Sequence, residues 1–194
     1  EGPRASRVTY TEGQAVMQAC AQVKQAISDG AELPITVTVE YTAPEREDIT
    51  YFGAQVAEVQ VDRETGQVTV LRLVTSHDVG TIINPLAHQG QIDGGVITGF
   101  GLGVTEEFVT DDGQVLNGNL ADYKLPTMAD VPELQTVLIQ TAGGTGPYEA
   151  KAIGELANNA TPAAIANAVA DATGCQLFEL PITADRVYKA LQQR

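Results

Sequence analysis

Apolar and polar positions repeat with two different periods along the first part of the chain. Between residues 11 and 29 apolar side chains recur every three to four positions, which is the spacing of one face of an α-helix. Between residues 35 and 41 every second residue is apolar, the pattern of a strand buried on one face. The pattern therefore predicts a helix that begins at a capping box formed by Thr11 and Gln14, followed by a strand.

Two more apolar runs flank a polar turn. Residues 56–61 change their alternation near Ala57, which suits a β-bulge, and residues 68–74 form the return strand of a hairpin. The intervening residues 62–66 read Asp-Arg-Glu-Thr-Gly, a composition typical of turns. We expect these two strands and the strand at 35–41 to form one antiparallel sheet, with the first helix packed against it.

Glycine dominates the second half of the chain. Residues 87–108 are mostly apolar but include six glycines, each of which disfavours a helix by about 1 kcal/mol relative to alanine. Gly95, Gly99 and Gly103 are nevertheless spaced four apart, so they would lie on one helical face. We predict a buried helix whose smooth face lets another backbone, or a flat ligand, approach closely.

The remaining segments complete an α+β fold. Their residue patterns predict a proline-punctuated connector at 123–132, a strand at 134–139, a helix at 162–172 capped by Thr161, and a terminal helix at 183–191. We divide the chain into a helix-plus-antiparallel-sheet module at 1–80 and a Gly-rich half of mixed helices and strand at 81–194.

A glycine-rich loop at residues 143–155 carries the strongest candidate chemistry. Its glycines and Pro147 exclude an ordinary helix or central strand, and it ends in Lys151 and Glu155. Glu155 lies upstream of the Thr161 helix start, so helix capping does not account for it. A carboxylate held by such a loop is a general-base candidate, and a nearby Lys151 would oppose the rise in its pKa that burial causes. The alternative is a solvated loop carboxylate.

Charge and cysteine content narrow the function classes. The net charge of -14 argues against nucleic-acid partners and against anionic membrane surfaces. No apolar run is long enough to span a bilayer and no signal peptide is visible, so we expect a cytoplasmic protein. Two cysteines and two histidines are too few for a zinc or iron–sulfur site. Cys20 lies on the apolar face of the first predicted helix, where we expect it in the core.

Four segments, in this order, resemble the molybdenum-binding subunit of the xanthine dehydrogenase/aldehyde oxidase family of molybdenum hydroxylases. They are HDVGTIINP at 77–85, GQIDGGVITGFGLG at 90–103, DYKLPTMADVPEL at 122–134 and GPYEAKAIGE at 146–155. The similarity covers nearly the whole chain, but only the C-terminal portion of the family's subunit.

The resemblance implies roles for eight residues. Glu155 matches the catalytic base, and Gln91 matches a side chain that contacts the pyranopterin. Residues that match the segment lining the cofactor beside molybdenum are Lys151, Ala152, Ile153 and Gly154. Ser6 and Arg7 match a Gly-Ser-Arg-type loop that grips the cofactor.

Three residues depart from the family pattern. Glu149 and Ala152 stand where the family has glycine, and Leu156 stands where proline is common. A glutamate at position 149 adds negative charge and needs space, and both bear on the shape of the loop and on the approach of substrate.

The resemblance also implies a function and partners. It implies a molybdenum-dependent hydroxylase or dehydrogenase that oxidises a heteroaromatic or aldehyde carbon with oxygen from water. The cofactor would be molybdenum-pyranopterin, as molybdopterin or its cytosine dinucleotide. Expected partners are the remainder of the molybdenum-binding subunit, a [2Fe–2S] subunit, an FAD subunit and a small-molecule substrate. Alternatives are a non-catalytic structural or assembly module, and a carbon monoxide oxidising or reductive dehydroxylating relative.

Overall fold

The computed structural model describes residues 4–43 and 50–193, and its main sheet has three strands. β1 (Gly53–Val61) pairs antiparallel with β2 (Val68–Asp78), with a bulge between Glu58 and Val59. A third strand pairs with β2 in parallel and spans Glu133–Ile139; it is β5 in chain order. The hairpin, its bulge and the α+β class are as the sequence predicts.

The predicted strand at residues 35–41 is extended but does not join this sheet. Its odd-numbered residues are half-buried and its even-numbered residues exposed, so the predicted alternation is present. No ladder links it to another strand within the described residues. The prediction of one all-antiparallel sheet is therefore wrong, because the third strand comes from residues 133–139 and runs parallel to β2.

Helices pack on one face of the sheet and enclose the core. α2 (Pro85–Val104) begins at Asn84, whose side chain accepts a hydrogen bond from Ala87 N at 3.0 Å. α3 (Leu156–Asn159) and α4 (Thr161–Thr173) follow the glycine-rich loop. The core consists of Val70, Leu73, Ile92, Val96, Phe100, Ala157, Ile165, Val169, Ile182 and Val187. It draws on both sides of residue 80, and the division at that residue stays a prediction about how the chain is organised.

The glycine face of α2 receives the start of α3 and α4. A Cβ on Gly95 would lie 2.8 Å from Ala157 Cβ, and one on Gly99 would lie 2.6 Å from Asn158 O. Such distances are below van der Waals contact, so only glycine fits. The predicted close approach of another backbone is confirmed, and that backbone is the segment directly after Glu155.

The first helix differs from expectation in its start and its packing. A π-helical turn at Val8–Glu12 leads into α1 (Gly13–Ser28). The predicted capping box is absent, because Thr11 Oγ1 donates to Arg7 O at 2.6 Å. No residue of α1 is buried, and Cys20 is exposed, so the predictions that this helix covers the sheet and that Cys20 lies in the core are wrong.

The other elements are short or terminal. β3 (Thr110–Asp111) and β4 (Gln114–Val115) form a hairpin. The predicted terminal helix is α5 (Ala184–Gln192), and Thr183 is its N-cap. Thr161 does not cap α4; its hydroxyl donates to Gln55 Oε1 at 2.6 Å instead. Within the described part of the chain, no helix is both long and apolar enough to cross a bilayer.

Candidate functional site

Three adjoining clefts meet where the N-terminal arm, α2 and the glycine-rich loop come together. The largest has a volume of about 470 Å³, and its neighbours measure about 330 and 170 Å³. Ser6 and Ile153 line all three. Together the clefts are lined by all eight residues singled out from the sequence: Ser6, Arg7, Gln91, Lys151, Ala152, Ile153, Gly154 and Glu155.

The glycine-rich loop folds back on itself before it reaches the clefts. A short 3-10 turn occupies Pro147–Glu149, and Gly146 N donates to Ala150 O at 3.1 Å. Gln14 Nε2 on α1 donates to Thr145 O at 3.0 Å. These contacts set the direction in which the loop runs on to Glu155.

Glu155 stands at the rim of two of the clefts. It is exposed and directly precedes α3, but its side chain caps no backbone amide there. No hydrogen bond or ion pair to its carboxylate occurs among residues 4–43 and 50–193. The carboxylate is therefore available to a group bound in the cleft.

Gln91 and Ser6 face the loop across the same space. Ser6 Oγ accepts a hydrogen bond from Ile153 N at 3.3 Å, which joins the N-terminal arm to the loop. A Cβ on Gly154 would lie 3.5 Å from Gln91 Oε1 and 3.9 Å from Ser6 Oγ. Glycine at position 154 thus keeps open a gap lined by an amide and a hydroxyl.

Lys151 is committed to a carboxylate other than Glu155. Its Nζ lies 2.5 Å from Asp78 Oδ2, and the two side chains are only 8% and 6% exposed. The structure therefore gives Lys151 an ion-pair partner other than the nearby Glu155 considered from the sequence.

Asp78 is held in its charged form by the groups around it. Burial alone would raise the pKa of Asp78, but hydrogen bonds from Lys151 and Thr141 outweigh that effect. The Gly80 N–H and the positive charge of Lys151 act in the same direction, so the pKa of Asp78 lies below its ordinary value.

His77 is adjacent to Asp78 but belongs to the opposite face of the sheet, since successive side chains of a strand alternate. It is 1% exposed, and burial lowers its pKa. Its Nε2 lies 2.5 Å from Thr75 Oγ1, and its Nδ1 has no partner in the described structure. His77 is therefore a core residue rather than a member of the site.

Sequence reasoning missed four residues of the site region. Asp78 and Thr141 hold Lys151, while Asn84 and His88 line the smallest cleft. Asp78 and Asn84 lie within residues 77–85, one of the four segments that resemble the family, and that resemblance could have identified them. Thr141 and His88 carry no sequence signal of their own.

The residues present fit an organic cofactor better than a directly ligated ion. Within the described residues no three His, Cys, Asp or Glu side chains are grouped to hold a metal. The largest of the three clefts is lined instead by an amide, a hydroxyl and a guanidinium, and Gly154 adds no side chain between the amide and the hydroxyl. This donor set suits a pterin or a phosphate, which hydrogen-bond at many atoms.

Comparisons with known proteins agree on one family. Residues 31–132 match the model of the molybdopterin cofactor-binding domain, a stretch that contains Gln91 but ends before Glu155. The putative xanthine dehydrogenase molybdenum-binding subunit of Escherichia coli K12 is 39% identical over 140 residues, covering 71% of this chain and 19% of that protein. The aldehyde oxidoreductase molybdenum-binding subunit of the same organism is 33% identical over 166 residues, covering 84% and 23%.

A solved structure extends the agreement to three dimensions. Quinoline 2-oxidoreductase from Pseudomonas putida 86 superposes with a TM-score of 0.74 at 31% identity, covering 90% of this chain and 23% of that one. The chain spans about a fifth of the length of the curated relatives it matches. It belongs to the molybdopterin cofactor-binding domain family, among the molybdenum-binding subunits of the xanthine dehydrogenase and aldehyde oxidoreductase group.

Proposed function

We propose that this chain supplies the general base and part of the cofactor cradle of a molybdenum-dependent hydroxylase. The reaction is oxidation of a heteroaromatic or aldehyde carbon with oxygen from water. The observation that carries the proposal is the convergence of Glu155, Gln91 and Ser6 on one cleft from three distant parts of the chain.

Glu155 is the proposed proton acceptor. When bound, the cofactor would accept the two electrons removed from the substrate carbon and would activate the oxygen that is transferred. Glu155 takes up the proton released as this water-derived oxygen adds to the substrate carbon. Its exposure at the rim and the lack of a competing partner in the described structure support this role, since a general base must reach the proton it removes.

The other seven residues are proposed to hold the cofactor. Gln91 and Ser6 would donate or accept hydrogen bonds from the pterin, and Arg7 would face its phosphate. The Lys151 side chain is engaged with Asp78, so we assign Lys151, Ala152, Ile153 and Gly154 a role through their backbone. The N–H groups of Lys151 and Ile153 already donate to Val79 O and Ser6 Oγ, so this role falls to the carbonyl groups of these two residues and to the peptide groups of Ala152 and Gly154. Gly154 would leave room for the cofactor to approach that backbone.

The proposed enzyme is active only as an assembly. We propose that the remainder of a molybdenum-binding subunit completes the cradle, and that a [2Fe–2S] subunit and an FAD subunit carry electrons away. The two cysteines of this chain, Cys20 and Cys175, are too few to ligate such a cluster.

Replacing Glu155 by glutamine in the assembled enzyme tests the proposal. Glu155→Gln keeps the shape of the side chain but removes the proton acceptor. The turnover number should fall by about 10²–10⁴-fold, the usual contribution of a general base. Molybdenum content and melting temperature should stay at the level of the unaltered enzyme, because an exposed side chain contributes little to stability.

Glu149→Gln is the matched control, since Glu149 is an exposed carboxylate of the same loop. It should keep its turnover number. A structural or assembly module would show a different pattern, in which Glu155→Gln retains normal turnover at full molybdenum occupancy. That result would remove the catalytic assignment.

A further inference from the structure

The ion pair between Asp78 and Lys151 differs from the others in the molecule by its burial. Every other ion pair found between described residues has both side chains at least 26% exposed, whereas Lys151 and Asp78 are 8% and 6% exposed. Burying two charges removes their hydration, so such a pair is weak evidence for stability on its own. Its geometry points to a more specific role.

A third side chain, that of Thr141, bonds to both members of the pair and fixes the orientation of the ammonium group. Lys151 Nζ donates to Asp78 Oδ2 at 2.5 Å, to Thr141 Oγ1 at 2.9 Å and to Thr50 O at 3.5 Å. These three acceptors match the three donors of an ammonium group. Thr141 Oγ1 in turn donates to Asp78 Oδ1 at 2.7 Å.

The backbone around the pair is joined in the same place. Lys151 N donates to Val79 O at 3.0 Å, and Val79 N donates to Ile139 O at 3.0 Å. Gly80 and Ala150 form an isolated antiparallel bridge. The ends of β2 and β5 therefore grip the loop at residues 149–151.

The Glu155 side chain has no hydrogen-bond or ion-pair partner within the described part of the chain, so its position depends on this grip. It lies four residues beyond Lys151, and between them the described contacts to the rest of the molecule include the bond from Ile153 N to Ser6 Oγ. On the other side, Ala157 is buried against Gly95. Glu155 is therefore held between supports on both sides, with the Lys151 anchor and the Ser6 contact before it and α3 after it.

We infer that Asp78 and Thr141, acting through Lys151, are positioning residues for Glu155. The inference rests on the proposed role of Glu155 as the base. An anchor that shifts by a fraction of an ångström would move the carboxylate away from the reacting atoms without changing its chemistry.

The test uses the assembled enzyme with four changes at the anchor: Asp78→Asn, Lys151→Met, the two combined, and the milder Thr141→Val. Glu58→Gln is the matched control, because Glu58 pairs with Arg72 on the same sheet at an exposed position. Turnover number, KM, melting temperature and hydrogen exchange of the peptide covering residues 150–157 are measured on enzyme with equal molybdenum content.

The turnover number should fall about 10- to 100-fold in Asp78→Asn and Lys151→Met, with little change in KM, since misplacement by about 1 Å has effects of this size. Exchange at residues 150–157 should become faster in all four anchor variants and stay unchanged in Glu58→Gln. The combined variant is decisive. It removes both buried charges, so its melting temperature should recover relative to the single variants, while its turnover number should stay low because the anchor is still missing.

Recovery of turnover together with melting temperature in the combined variant would overturn the inference, because the pair would then be structural only. Normal turnover in Asp78→Asn would overturn it as well. These outcomes are separate from failure of the proposed function. If Glu155→Gln abolishes turnover while the anchor variants are normal, only the positioning inference fails; if Glu155→Gln is active, the proposed base is wrong.

Discussion

At the scale of single residues, Glu149 holds a backbone conformation that suits glycine. Its φ is +65°, and that of the preceding Tyr148 is +56°. Both values lie in the left-handed region, which is unfavourable for residues with a Cβ by about 1–2 kcal/mol. The family resemblance marks position 149 as one where glycine is usual, and the structure gives the reason. The loop adopts this conformation at Glu149 despite the side chain.

Glu149→Gly should therefore stabilise the protein slightly. Relief of the left-handed strain is worth about 1–2 kcal/mol, and the greater freedom of glycine in the unfolded chain offsets about 0.4–1 kcal/mol of it. The melting temperature should rise by about 1–3 °C, as expected for a few tenths to 1 kcal/mol in a chain of this length. Thermal unfolding followed by circular dichroism measures the change.

Glu149→Ala separates strain from charge. It removes the same carboxylate but keeps the Cβ, so it should give no gain. Equal melting temperatures for the glycine and alanine variants would contradict the claim that backbone strain at position 149 lowers the stability of the protein.

The partner of Lys151 marks the limit of prediction for a single residue. Its place in the loop follows from the resemblance, but its contact with Asp78 joins positions 73 residues apart. Glu155 is the nearer carboxylate in sequence, and the loop geometry nevertheless directs the ammonium towards the end of β2. Local spacing cannot reveal a contact that depends on how a sheet and a loop meet.

At the scale of elements, α2 is the support on which the loop and α3 are mounted. Its two faces differ sharply. On the packed face, a Cβ at Gly99 would lie 2.6 Å from Asn158 O and 2.7 Å from Thr161 Cβ. On the outer face, a Cβ at Gly94 would meet nothing within 4 Å. Glycine is therefore required by close packing at position 99, whereas at position 94 it only lowers the stability of the helix.

Gly99→Ala should destabilise the protein by about 1–3 kcal/mol, because the added methyl overfills a close contact. Gly94→Ala should stabilise it by up to about 1 kcal/mol, because alanine favours the helix and no clash opposes it. Chemical denaturation of the two variants, compared with the unaltered protein, measures both changes. A gain of equal size in both variants would mean that helix propensity, and not the contact with α3, determines the effect.

The elements were predictable to different degrees, for physical reasons. The hairpin of β1 and β2 and the helix α2 follow from local periodicity and turn residues, and the sequence places them correctly. The strand-like pattern at residues 35–41 predicts the observed alternation of exposure but cannot supply a partner strand. The amphipathic pattern of α1 predicts a helix, yet none of its residues is buried, since amphipathicity says nothing about what covers the apolar face.

At the scale of the whole molecule, the sheet and the site are both built from distant segments. β5 pairs in parallel with β2, and the ends of the two strands lie at the same edge. This arrangement brings Asp78 and Thr141 together and places them beside the glycine-rich loop. Sequence reasoning found the strand at 134–139 but not its partner, because a parallel pairing leaves no short turn in the sequence to reveal it.

The hydrogen bond from Ile153 N to Ser6 Oγ joins residues 147 positions apart. Ser6 lies in the N-terminal arm, and α1, which follows the arm, has no buried residue. The N-terminal arm, which lines one side of the cleft, can therefore detach while the core stays folded. Local opening requires only as much free energy as the contacts that it breaks. In rising urea the cleft should therefore come apart before the sheet and its helices do. Bound ligand should be released, and turnover lost, at a urea concentration where far-ultraviolet circular dichroism is still native. A ligand that bridges the arm and the loop would delay that first step, since it binds only while the cleft is closed.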